Sequence, residues 1–243
     1  GEARTRLSRL VEKGTLGAEA AEAALSRLSY ASDLAPAAES DFVIEAIVER
    51  LEDKRALFAD LDRRCPPHAI LATNSSSIMS SRLADATGRP ERVLNMHFFN
   101  PPLVMELVEV VQGPHVAPEA AEAAVALARR MGKTPVLLRK EVPGFLVNRI
   151  LGALIDEAMR LLEQGVASHA EIDMAVKKGL RHPMGPFELV DFNGVDVAYL
   201  TRLERYRETG DERMKPPKVL EDLYRQGRLG RKAGKGFYDY PVR

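Results

Sequence analysis

The sequence predicts a layered α/β domain over residues 1–140, followed by an all-helical domain over residues 141–243. Three observations carry this prediction. Short apolar, β-branched runs alternate with helical patterns as far as Arg139, as expected of strands stacked between helices. From residue 145 to 163 the apolar spacing becomes helical, over a run too long and too periodic for a strand. After Arg139 only residues 236–240 read as extended, and Pro143-Gly144 marks the change.

The elements follow in order. Residues 3–13 set Leu7, Leu10 and Val11 at i, i+3 and i+4 among arginines, which predicts an amphipathic helix. Alanine-rich residues 18–28 give a second, short one. Residues 41–48 are mostly apolar and β-branched, as in a buried parallel strand. A helix over 54–64 puts Leu57, Phe58 and Leu61 on one face. The next strand, 69–73, is stopped by Asn74-Ser75-Ser76-Ser77. Strands over 93–97 and 106–111, a helix over 118–131 and a strand over 135–139 complete the first half. Helices over 145–163, 168–178, 186–206 and 217–226 make up the second.

Composition narrows the function classes. Apolar residues at 45% and charged residues at 29% exclude disordered and collagen-like chains. The 35 basic side chains balance 35 acidic ones, which argues against a nucleic-acid partner. The single cysteine, Cys65, allows no internal disulfide and fits a reducing, cytoplasmic setting. No apolar run has the length of a membrane span, so no membrane partner is expected. Metal-ligand spacings, a Gly-x-Ser-x-Gly elbow and a Walker loop are absent, so no metal is expected. No Gly-x-Gly-x-x-Gly occurs either.

Of five histidines, His97 ends an apolar strand and leads into Phe98-Phe99-Asn100-Pro101-Pro102, a place where α/β folds put ligand-contacting groups. Glu109 lies inside the apolar run 107–111, where a carboxylate is costly unless it is partnered. If the two strands are neighbours, Glu109 can face His97, fix its tautomer and stabilise its cation. The residues alone leave open an unrelated core histidine and sheet-edge glutamate. The serines after Asn74 serve equally as turn and capping groups or as hydroxyls for a substrate oxygen. Glu49 ends a strand shortly before Lys54, suiting either a helix start or a ribose or phosphate contact. Asn148 reads as a packing or a substrate-contacting residue, and Lys232, in a basic tail loop, as solvated or phosphate-binding.

Together these segments resemble one family. Met96-His97-Phe98-Phe99-Asn100-Pro101-Pro102 with Glu106-Leu107-Val108-Glu109-Val110-Val111 is similar to the active-site stretch of the L-3-hydroxyacyl-CoA dehydrogenases. Asn74-Ser75-Ser76-Ser77, the segments 142–149 and 182–189, and Lys232-Ala233-Gly234-Lys235-Gly236-Phe237-Tyr238 match further motifs in the same order. The resemblance implies a Rossmann-type NAD domain and a helical substrate domain that forms a homodimer. It implies oxidation of a (3S)-3-hydroxyacyl-CoA to the 3-oxoacyl-CoA, as in the β-oxidation of fatty acids, and a likeness to 3-hydroxybutyryl-CoA dehydrogenases. By the same resemblance His97 is the general base and Glu109 its orienting carboxylate. Ser76 and Asn148 would contact the substrate. Glu49, Lys54, Ser76 and Lys232 would contact NAD, and Lys13 would meet the anionic CoA moiety.

One departure stands out. In the family a first strand, a glycine-rich turn and its helix, a unit of roughly 30 residues or more, precede everything seen here. The chain opens at Gly1-Glu2-Ala3 without methionine, so the expectation is the larger part of a longer enzyme, its Rossmann domain N-terminally incomplete. A non-catalytic CoA-thioester-binding or dimerisation module and a dehydrogenase of free hydroxy acids are the alternatives.

Overall fold

Strand parity organises the first half of the chain. In the computed structural model, which describes residues 2–241, helices α1 (Glu2–Glu12) and α2 (Ala18–Ser26) precede strand β1 (Phe42–Glu45). Then come α3 (Leu51–Arg64), β2 (Ile70–Thr73), α4 (Ser81–Ala84), β3 (Val93–Phe98), β4 (Leu107–Val111), α5 (Pro118–Arg130) and β5 (Thr134–Leu138). The strands form one sheet in chain order, parallel throughout except for the antiparallel pair β3–β4. Successive side chains alternate between its faces. Ile70, Ala72, Leu94, Met96, Val108 and Val110 pack on one face against Ala120, Ala121, Ala124 and Ala128 of α5. These alanines let the helix lie close to the sheet. Leu71 and Val93 pack on the opposite face, with Phe58 and Leu61 of α3 and Leu83 of α4. This is the Rossmann-like layering that the sequence predicts.

The first strand is shorter than the apolar run predicts. It stops at Glu45 because the Glu45 carboxylate accepts the Ile47 amide at 2.6 Å, which turns the chain out of the ladder. Ile47 and Val48 are left exposed. Among the described residues β1 pairs only with β2 and forms an edge of the sheet.

The chain divides into two compact units, Gly1–Phe145 and Leu146–Arg243. The second holds α6 (Val147–Glu163), α7 (His169–Leu180), α8 (Pro186–Asn193), α9 (Val195–Thr209) and α10 (Lys218–Arg225). Met159, Ile172, Phe187, Val190, Val195, Leu220 and Phe237 form its core. Two expectations are corrected here. The helix predicted over 186–206 is two helices, broken at Gly194, whose φ of +112° lies outside the helical region and favours glycine. The strand predicted over 236–240 is only a pair of isolated bridges, Gly230–Lys235 and Lys235–Asp239. Its amides go elsewhere: Phe237 and Tyr238 both donate to the buried Asp191 carboxylate at 2.9 Å. Tyr240 donates its hydroxyl to the same carboxylate at 2.9 Å. Its phenol is pushed up to about 12, first by burial and then by Asp191, and so stays an O–H donor. Asp173, also buried, accepts from the Phe187 and Glu188 amides and from the Tyr238 hydroxyl at 2.7–2.9 Å. Gly236 lies so close to Asp191 that any Cβ there would overlap the carboxylate.

Among the described residues no helix is long and apolar enough to cross a membrane, and no group of His, Cys, Asp and Glu is placed to hold a metal ion.

Candidate active site

Antiparallel pairing of β3 with β4 sets His97 directly opposite Glu109. Both side chains leave the sheet on the face away from α5, and Nδ1 of His97 lies 2.9 Å from Oε2 of Glu109. Glu109 is fully buried and the His97 ring is nearly so, packed at 4.7 Å from Phe99 and 5.6 Å from Phe145 between ring centroids. With Nδ1–H donated to the carboxylate, Nε2 is the nitrogen left to take a proton. The twelve-residue spacing in the sequence is thus one rung of a ladder.

A second polar group lies on the same face, at the carboxyl ends of β1 and β2. Lys54 and Glu45 are 1% and 3% exposed, and their ion pair measures 2.6 Å. The Lys54 ammonium also lies 3.2 Å from Glu49 and 3.4 Å from the Ile47 carbonyl, so its three N–H groups meet three acceptors. The second oxygen of Glu45 accepts from the Thr73 hydroxyl at 2.7 Å. Glu49 accepts from the hydroxyls of Ser75 and, at 2.7 Å, Ser77. Burial works to raise the Glu49 pKa, but these hydrogen bonds and the Lys54 charge outweigh it and hold the carboxyl below the usual range. With 44% of its side chain exposed, Glu49 presents an ionised edge to solvent. Glu49 does not end the strand as the sequence predicts: it lies in the loop beyond β1, which stops at Glu45. Its ionised edge fits a ribose hydroxyl of NAD.

The sequence-predicted residues therefore fall into groups. His97 and Glu109 are brought together, as are Glu49, Lys54 and the serine turn. Ser76 is half-buried and, unlike Ser75 and Ser77, its hydroxyl meets no partner among the described residues. Lys13 lies one residue beyond the end of α1 rather than within it, exposed. Asn148, in the first turn of α6, and Lys232, paired with Asp196 at 2.6 Å, belong to the second unit.

Three residues escaped the sequence reading. Glu45 carries the same signal that marked Glu109, a carboxylate inside an apolar strand. Thr73 and Asn95 complete a row with it, since the register pairs Glu45 with Thr73 and Thr73 with Asn95. Nothing in their own residue types marks them; only the register does.

Two family models together match almost the whole chain. The model for "3-hydroxyacyl-CoA dehydrogenase, NAD binding domain" covers residues 1–142, and that for "3-hydroxyacyl-CoA dehydrogenase, C-terminal domain" covers residues 144–240. The chain belongs to the 3-hydroxyacyl-CoA dehydrogenase family. As a member it is an NAD-dependent oxidoreductase with a Rossmann-like domain ahead of a helical one. A "Probable 3-hydroxybutyryl-CoA dehydrogenase" of Bacillus subtilis is 42% identical over 235 residues, which span 97% of this chain and 82% of that one. The mitochondrial hydroxyacyl-coenzyme A dehydrogenase of Mus musculus is 41% identical, over 96% of this chain and 74% of its own. Among solved 3-hydroxyacyl-CoA dehydrogenase-family structures, the 3-hydroxybutyryl-CoA dehydrogenase of Escherichia coli superposes with a TM-score of 0.92 at 42% identity, covering 100% of this chain and 51% of that one. The (S)-3-hydroxybutyryl-CoA dehydrogenase of Ralstonia eutropha gives 0.89 at 36% identity, covering 98% and 84%.

Proposed function

We propose that the chain oxidises the C3 hydroxyl of a (3S)-3-hydroxyacyl-CoA, with His97 as general base. The observation that carries this is the buried bond from His97 to Glu109, 2.9 Å long. The hydroxyl proton passes to Nε2 of His97 while C3 gives up its hydride and the C3–O bond becomes a carbonyl. NAD, when bound, supplies the hydride acceptor. Glu109 holds the imidazole in the required tautomer and balances the imidazolium charge that forms. The uncommitted Ser76 hydroxyl donates to the substrate oxygen, and Asn148 contributes a further substrate contact. Glu49 takes a ribose hydroxyl of the cofactor, and Lys54 acts by holding Glu49 and by its charge. Ser76 and Lys232 also contact the cofactor, and Lys13 meets the anionic CoA moiety. On this reading residues 1–140 form the NAD-binding domain, and residues 141–243 the helical substrate and dimerisation domain. A cytoplasmic setting belongs to the same reading and keeps the free Cys65 thiol reduced.

The test is steady-state NADH formation with (3S)-3-hydroxybutyryl-CoA and with free 3-hydroxybutyrate. The expected result is strong preference for the thioester. Preference for the free acid assigns a hydroxy-acid dehydrogenase instead, and thioester binding without turnover by the full-length protein assigns a binding module.

The helical unit is also proposed to carry a homodimer interface. Leu161 and Leu162 pack onto its core, but Leu146, Ile150, Met174, Leu180 and Leu200 remain exposed, more apolar surface than a solvated face ordinarily carries. Sedimentation at micromolar concentration should give a dimer, and a strict monomer refutes the interface.

A further inference from the structure

We infer that Asn95 is a positioning residue for the reaction: its carboxamide fixes the turn at residues 74–80 so that the Ser76 hydroxyl is presented to the substrate oxygen. The inference rests on the reading of Ser76 just given. Asn95 is fully buried in the middle of β3. A buried amide is tolerated only when its donors and acceptor are satisfied. Here all of them are satisfied by the backbone of one turn. The side-chain Nδ2 donates to the carbonyls of Ser75 at 3.2 Å and Ile78 at 3.0 Å, and Oδ1 accepts the Ser80 amide at 2.7 Å.

The consequence for Ser76 follows from backbone geometry. The peptide unit joining Ser75 to Ser76 is planar, so anchoring its carbonyl orients the plane on which Ser76 is mounted. The neighbouring hydroxyls are already committed. Ser75 and Ser77 serve Glu49, and Ser80 donates to Glu141 at 2.7 Å. At the start of the turn the Asn74 side chain accepts the Phe98 amide at 2.9 Å, a second tie to the same strand. Among the described residues, the hydroxyl of this turn left without a protein partner is that of Ser76.

Asn95 also shares its face of β3 with His97, two residues further on. One rigid strand therefore fixes both the base and the turn that carries the substrate-binding hydroxyl. Sites built on strands hold geometry more closely than sites on loops. Asn95 transfers that rigidity to a loop residue.

A double-mutant cycle on the full-length enzyme tests this. With NAD and (3S)-3-hydroxybutyryl-CoA, Asn95→Ala should lower kcat roughly 10²-fold, the scale of an ångström-level misplacement, and change KM for NAD far less. In a Ser76→Ala background the same substitution should cost almost nothing, because the hydroxyl it positions is gone. A loss that is equally large in both backgrounds overturns the inference and leaves the reading of Ser76 standing. Full kcat in Asn95→Ala also overturns it. Full kcat in Ser76→Ala removes the reading of Ser76 and this inference with it. If the cavity in Asn95→Ala prevents folding, Asn95→Ser, which keeps a donor, is read in the same cycle.

Discussion

In the full-length enzyme, His97→Ala is expected to lower kcat by about 10²- to 10⁴-fold, the usual contribution of a positioned acid–base group. The ring packs against Phe99 and Phe145 and bonds the fully buried Glu109, so the substitution also takes a partner from that carboxylate and should lower stability. Glu109→Gln should lower kcat as well. The amide has nearly the shape of the carboxylate, but it brings no charge to balance the imidazolium and can select the other tautomer. Steady-state kinetics with a thermal melt of each variant separates chemistry from stability. Undiminished turnover in either variant removes that residue from the mechanism.

The second large effect is on stability. Lys54→Met should destabilise the N-terminal unit by about 3–5 kcal/mol, the cost of stranding one partner of a buried ion pair. Glu45 would then keep the Thr73 hydroxyl and the Ile47 amide but lose its cation, in a site where it is 3% exposed. The double variant Glu45→Leu with Lys54→Met should recover much of the loss, since apolar side chains of similar volume replace buried ion pairs at little cost. Urea melts of the single and double variants provide the measurement. If the double variant is no more stable than Lys54→Met, the cause lies in packing rather than in the unpaired charge.

What the sequence made legible, and what it did not, follows from the range of each interaction. The strands and helices of the first unit were legible because apolar periodicity is local. The pairing of His97 with Glu109 was legible as a conditional: each residue was conspicuous alone, and only the antiparallel register between β3 and β4 joined them. Glu45 was just as conspicuous, a carboxylate among Phe42, Val43 and Ile44, yet its partner Lys54 lies nine residues on, in a helix that normally carries lysines at its surface. Burial reversed that expectation. In the second unit, helical periodicity runs smoothly through residues 186–206, and one dihedral at Gly194 divides it. The run 236–240 has the composition of a strand, but a strand needs a ladder. Its amides are taken by Asp191, a residue 46 positions earlier that no local pattern connects to it.

The two carboxylates that hold residues 237–240 also set an order of events in biosynthesis. All five strands of the sheet lie between residues 42 and 138, so the N-terminal unit can close its sheet while the helical unit is still being made. Domains fold as units in the order in which they emerge. The helical unit has no such freedom. Phe237 is part of its core against Phe187, and Asp173 and Asp191 receive the Tyr238 and Tyr240 hydroxyls only once those residues have left the ribosome. Closing a loop of this length adds little entropy cost beyond that of a shorter one, so timing rather than distance is the obstacle. Until residue 240 emerges, two buried-type aspartates and the apolar faces of α8 stand open to water and to other nascent chains. That interval is the one in which this unit is most open to misassembly.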